Sequence, residues 1–212
     1  MHHVMFDIDG TLVKSFDFDE QCYIAAVKEV TGYTLLGDWH NFPDITDRGI
    51  LKTYIETSAP HFSLENLEEK VKRVFIRNLN NYLRANSVEE VNGARFFVDR
   101  LKSNKQYIVS LATGGWLESA MLKLESAGID VKGLPIASSN DHHKRTEIMT
   151  LARAACGDMD EHAVTYFGDG EWDVKACREL GMNLVIVGDR VSHHQSIPDF
   201  ADFEAAERLI GV

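Results

Sequence analysis

Cysteine is scarce in this chain: 212 residues contain three, Cys22, Cys156 and Cys177, far apart and odd in number. That usage supports neither a disulfide framework nor a zinc site, and a reducing compartment suits it. Basic charge is short as well, with 22 lysines and arginines against 33 acids and a net charge of −11. No basic stripe runs along the chain. The tightest clusters, Lys70/Lys72/Arg73 and Lys144/Arg145, are brief, so nucleic acid is not an expected partner. No apolar run approaches the ~18 residues of a membrane span. Met1 leads almost directly into an apolar strand. That leaves no room for a signal peptide, and a cytoplasmic protein is expected. Internal repeats and low-complexity segments are missing too.

What is there is 44% hydrophobic content, enough for one core and a subdomain. From about residue 93 onward, strand and helix patterns alternate. Tyr107–Ala112 (YIVSLA), Ala163–Phe167 and Asn183–Val187 (NLVIV) read as strands buried on both faces. Leu117, Met121 and Leu124 follow helical spacing up to Gly128, and Val174, Cys177 and Leu180 up to Gly181. With Val4–Ile8 as the first strand, the fold class is α/β, a Rossmann-like parallel sheet covered by helices.

Residues 15–88 carry no strand signal of that strength. Tyr23, Val27 and Val30 share one helical face before Gly32. Leu67, Val71, Val74 and Leu79 share another, with Ser63 as N-cap, and a short helix is expected between Ile50 and Ile55. The expected organisation is an α/β core of residues 1–14 and 89–212, with a helical insert at 15–88.

Ligands of open α/β sheets bind beyond the carboxyl ends of the strands. The first strand runs out into Asp7-Ile8-Asp9-Gly10-Thr11, a second into Thr113-Gly114-Gly115, and a further one into Gly168-Asp169-Gly170-Glu171-Trp172-Asp173. Asp141-His142-His143-Lys144-Arg145 precedes a helical stretch near Thr146. Two carboxylates one residue apart are costly unless a cation sits there or a reaction needs them. Asp7-x-Asp9-Gly lacks the later Asp/Asn and Glu of an EF-hand loop. The pairs His142/His143 and His193/His194 are adjacent, so both members cannot readily face one metal, and they read as loop residues.

These segments, in this order, resemble the haloacid dehalogenase superfamily over the whole chain. The first run resembles its DxDGT[LV] motif, Thr113 its lone Thr/Ser, the basic pair its Lys/Arg motif and GDGEWD its acidic motif. The resemblance implies Asp7 as a nucleophile that attacks phosphorus and Asp9 as general acid and base. It implies Mg²⁺ held by Asp7, Asp169 and the backbone carbonyl of Asp9. Thr113 and the Gly114 amide would grip phosphate oxygens, a cation from Lys144 or Arg145 would neutralise charge, and Asp173 would orient that cation or a metal-bound water. In the short form of the motif the cation lies three residues before an apolar helix position. Counting back from Ile148 gives Arg145, whereas lysine, the more usual residue, stands at Lys144.

Dehalogenases of the superfamily lack an acid at the position of Asp9, because a halide leaving group needs no proton. An insert after the first motif looks like a C1-type helical cap, as in phosphoglycolate phosphatase and β-phosphoglucomutase. The implied activity is Mg²⁺-dependent hydrolysis of a small phosphorylated metabolite, by a monomer or homodimer. A phosphosugar mutase and a non-catalytic phospholigand-binding protein are the alternatives. A phosphonatase would need a cap lysine, and Lys28, Lys52, Lys70 and Lys72 have no supporting motif. Specificity is expected in the cap, where Thr46-Asp47-Arg48 is either an N-capped surface turn or a substrate contact, with Arg48 pairing a carboxylate or second phosphate.

Overall fold

Strand alternation splits the core into two layers of side chains. In the computed structural model, which describes residues 1–35, 42–157 and 163–211, β1 (His2–Phe6) sends Val4 and Phe6 to one face and Met5 to the other. The same division runs through β4 (Tyr107–Ala112), β6 (Val164–Gly168) and β7 (Asn183–Val187). Together with β5 (Ile136–Ala137) and β8 (Ser196–Ile197) these form one six-stranded sheet in the order β5-β4-β1-β6-β7-β8. Every pairing in it is parallel. Because parallel strands need crossovers, helices cover both faces.

On the Phe6 face lie α4 (Ala94–Ser103), α5 (Leu117–Ser126) and the short α8 (Phe203–Glu207). On the Met5 face lie α6 (Arg145–Ala154) and α7 (Glu171–Leu180). Gly181 ends α7 in the left-handed region, at φ 65°, where a Cβ would cost energy.

The insert is helical. It comprises α1 (Phe16–Thr31), α2 (Asp47–Ser58) and α3 (Leu64–Leu83). Their apolar faces form a third cluster around Tyr23, Leu51, Val71 and Phe75, into which Trp116 of the core inserts. The chain leaves and re-enters the core through a two-stranded antiparallel ribbon, β2 (Val13–Lys14) against β3 (Glu89–Glu90). Helix α2 is longer than the stretch from Ile50 to Ile55. Its start is set by Thr46, whose hydroxyl accepts from Gly49 N at 2.9 Å. Ser63 stands at the N-cap of α3, but its side chain makes no capping hydrogen bond.

One stripe expected from the sequence is corrected. Met121 is exposed, and the buried face of α5 is Ser119, Ala120, Lys123 and Leu124. That face is rotated about one residue from the apolar stripe because the helix covers a polar cluster as well as the core.

Candidate active site

Asp7 and Asp169 lie side by side because their strands do. β1 and β6 are adjacent, and Asp7 N donates to Phe167 O at 2.9 Å. Beyond β1 the chain turns at Gly10 with φ 79°. A Cβ there would collide with the Phe16 ring and with Asp169 Oδ2, so both backbone conformation and space demand glycine.

Asp173 holds the cluster together. Its Oδ2 accepts from Asp169 N and Gly170 N, each at 3.0 Å, and its Oδ1 accepts from Arg145 Nη1 at 3.0 Å. Arg145 also donates to the Tyr166 hydroxyl at 3.0 Å and lies 3.4 Å from Asp7 Oδ1. Lys144, one residue earlier, is exposed at the N-cap of α6. The helix start therefore decides between the two cations: Arg145 enters the site and Lys144 faces solvent.

Asp7, Asp169 and Asp173 place carboxylate oxygens within 4.8 Å of one another. Asp7 Oδ1 and both oxygens of Asp169 are buried without a hydrogen-bond donor. Burial pushes the Asp7 carboxyl up to about 7, with Arg145 opposing and Asp173 and Asp9 adding. Burial likewise raises Asp169 to about 9, with Asp173 and Asp7 adding. Buried acceptors of this kind, short of donors, suit a hard divalent cation. Asp173 has committed both oxygens, so Asp7 and Asp169 are the carboxylates with room for one.

Asp9 lies outside that cluster. Its Oδ1 accepts from the Ser15 hydroxyl and lies 2.6 Å from Lys123 Nζ. Lys123 is wholly buried and also donates to Asp19 Oδ1 of α1 at 2.7 Å. Burial pulls its ammonium down, but Asp19 and Asp9 outweigh that and it stays above the ordinary lysine value. Burial raises Asp19 to about 6 against the pull of Lys123.

A cleft of about 220 Å³ lies between core and insert. Asp7, Asp9, Thr113, Gly114 and Arg145 line its floor, and Asp19, Tyr23, Thr46, Asp47 and Ile50 its opposite wall. Thr113 Oγ1 accepts from Gly115 N at 3.1 Å, so the loop after β4 folds back on itself.

Thr46 and Asp47 reach the cleft by docking on core loops. Thr46 Oγ1 donates to His143 O at 2.6 Å, Asp47 N donates to Gly114 O at 2.8 Å, and Asp47 Oδ2 accepts from Trp116 N at 2.8 Å. Arg48 lies apart from these two. Its Nε lies 3.1 Å from Glu68 Oε2 of α3 and it does not line the cleft, because the first turn of α2 points it along the insert instead.

Several residues at the site escaped the sequence reading: Lys123, Asp19, Tyr166 and Arg190. Arg190 follows β7; it stacks on the Phe16 ring at 3.8 Å and lies 3.5 Å from Asp169 Oδ2. Its position just past a strand's carboxyl end is a usable signal. Lys123 carries none: it stands between Leu122 and Leu124, and a lone lysine in an amphipathic helix reads as solvated.

The sequence model of a family described as haloacid dehalogenase-like hydrolase matches residues 4–187. The chain belongs to that family. Against the curated proteins, the sequence matches none. Among solved structures, a hydrolase from Pseudomonas syringae is similar with a TM-score of 0.70 at 20% identity, with 100% of each chain covered. β-Phosphoglucomutase from Clostridium difficile is similar with a TM-score of 0.74 at 14% identity, over 99% of this chain and 96% of that one. A predicted phosphoglycolate phosphatase from Haemophilus somnus has a TM-score of 0.70 at 16% identity, over 98% of both chains. At these identities the likeness is one of fold, and it places this haloacid dehalogenase-like hydrolase among α/β proteins of the same architecture. Among the described residues, no helix is long and apolar enough to cross a membrane.

Proposed function

We propose that this family member is a Mg²⁺-dependent phosphatase of small phosphomonoesters that works through an aspartyl-phosphate on Asp7. The observation that carries the reading is the convergence of Asp7, Asp9, Thr113, Gly114 and Arg145 on the floor of one cleft. Asp7 is the nucleophile: its carboxylate oxygen bonds to phosphorus as the ester oxygen leaves. Asp9 gives that oxygen a proton, then takes one from the water that splits the acyl phosphate and frees Asp7. Thr113 and the Gly114 amide hold phosphate oxygens, and Arg145 offsets the charge that develops on them.

The donor-poor oxygens of Asp7 and Asp169 fit Mg²⁺, with the Asp9 carbonyl as a third protein ligand. When bound, the ion neutralises carboxylate and phosphate charge so that an anion can approach an acidic site. Asp173 keeps Arg145 and the Asp169 backbone in place. Residues 15–88 act as a C1-type cap over the core of 1–14 and 89–212, excluding water and limiting substrates to small ones. Thr46 and Asp47 tie that cap to the loops that carry Thr113 and Arg145. A cytoplasmic setting fits the free cysteines.

The test is a panel of small phosphometabolites assayed with Mg²⁺ for released inorganic phosphate. Turnover that requires Mg²⁺ and falls at least about 10³-fold in Asp7→Asn is expected. Near-normal turnover in Asp7→Asn, or phosphate retained on an isomeric sugar, would overturn the reading.

A further inference from the structure

Asp9 is anchored by one oxygen only. Ser15 and Lys123 both meet Oδ1. A Cβ at Gly115 would lie 3.4 Å from Oδ2, so that second oxygen sits against the loop that lines the cleft. Lys123 itself does not line the cleft. It reaches Asp9 from behind, out of the buried face of α5, and its ammonium also holds Asp19 in the first turn of α1. Helix α5 belongs to the core and α1 to the insert, so one ammonium joins both to the carboxylate at the mouth of β1.

We propose that Lys123 is a positioning residue for the proton transfer by Asp9: it clamps Oδ1 so that Oδ2 faces the leaving oxygen. This inference rests on the phosphatase reading above. The side chain of Asp9 has one torsion that swings Oδ1 and Oδ2 past each other, and a charge-assisted contact at 2.6 Å stops it. Without the clamp, Oδ2 spends part of its time turned from the cleft. Proton delivery then fails, while attack by Asp7 is untouched. The electron pair of the breaking P–O bond stays on the leaving oxygen in either case. What changes is whether that oxygen receives the proton from Oδ2 as the bond breaks.

Leaving groups of different acidity separate this role from a structural one. 4-Nitrophenolate departs without a proton, whereas the alkoxide of propyl phosphate needs one. The measurement is the single-turnover cleavage rate of both esters with Mg²⁺, in wild type, K123M and D19N. In K123M the propyl phosphate rate is expected to fall at least about 100-fold and the nitrophenolate burst less than about fivefold. D19N leaves Ser15 and Lys123 on Asp9 Oδ1, so any loss it causes at the cleft wall is expected to fall equally on both esters, preserving the ratio of their rates. A loss confined to propyl phosphate and as large as in K123M would assign the effect to Asp19 and overturn the inference. If K123M fails to fold, the double variant D19N/K123M removes both members of the buried pair and is expected to lose the same ratio. Equal losses on both esters overturn the inference and leave the phosphatase reading standing. Wild type that cleaves neither ester overturns the phosphatase reading, and the inference with it.

Discussion

Arg145 joins more of the site than any other cation, touching Asp7, Asp173 and Tyr166. Its planar guanidinium can face several acceptors at once, which a lysine ammonium cannot do in the same fork geometry. Replacing it removes charge beside the proposed phosphate position and leaves Asp173 Oδ1 buried without its donor. Arg145→Ala is therefore expected to lower turnover of a phosphomonoester by about 10²–10³-fold. Lys144→Ala, at an exposed position, is expected to stay within about twofold. Parallel steady-state kinetics check both, and equal slight losses would remove the 144–145 pair from the mechanism. The sequence offered two adjacent cations, and counting back from Ile148 leans towards Arg145. The N-cap geometry that turns Lys144 outward is tertiary in origin.

Helix α5 and the loop before it do two jobs. The loop carries Thr113 and Gly114, and its last residue, Trp116, is buried in the cluster of the helical insert. Trp116 packs near Tyr23 and Phe75, at ring-centroid distances of 5.8 Å to each, and its backbone N–H donates to Asp47. A core loop thus supplies the largest side chain of the insert's interior. Trp116→Ala is expected to cost about 3–5 kcal/mol. The loss should fall on the insert first, so amides of α1 and α3 should exchange faster than those of β1 and β6 in hydrogen-exchange mass spectrometry. Uniform acceleration across both parts would mean that the two unfold as one unit. The same helix explains why Lys123 was missed. Apolar spacing placed Leu117 and Met121 on the buried side, whereas the helix turns Ala120 and Lys123 inward to meet carboxylates from two other segments.

At the scale of the whole molecule, the acidic site sets a condition on stability. Asp7 is held up to about 7 and Asp169 up to about 9, against ~3.9 for an aspartate in an unfolded chain. Between about pH 4 and pH 7 the folded state therefore binds more protons than the unfolded state. Stability of the metal-free protein falls as pH rises through that window, and Asp169 extends the fall upward. A divalent cation held by Asp7 and Asp169, as proposed, would reverse the effect by favouring the ionised carboxylates. Mg²⁺ at about 100 times its Kd is expected to add roughly 2.7 kcal/mol, a rise in Tm of about 5–10 °C. The rise should be larger at pH 8 than at pH 5, where protons compete with the metal, and Asp169→Asn should abolish it. Scanning fluorimetry at the two pH values checks this, and an equal rise in Asp169→Asn would place the ion elsewhere.

The alternation of strand and helix, the parallel sheet and the segments at its carboxyl edge are legible in the amino-acid sequence alone. Those are local properties: periodicity, glycine placement and apolar runs of fixed length. The strand order that puts Asp7 beside Asp169 needed tertiary structure. So did the turn of Arg145 inward, the pairing of Arg48 with Glu68 and the burial of Lys123 between Asp9 and Asp19. Each of these joins groups far apart in the chain. A long charged side chain has the same local pattern whether it ends in water or against a carboxylate from another element, and only packing decides which.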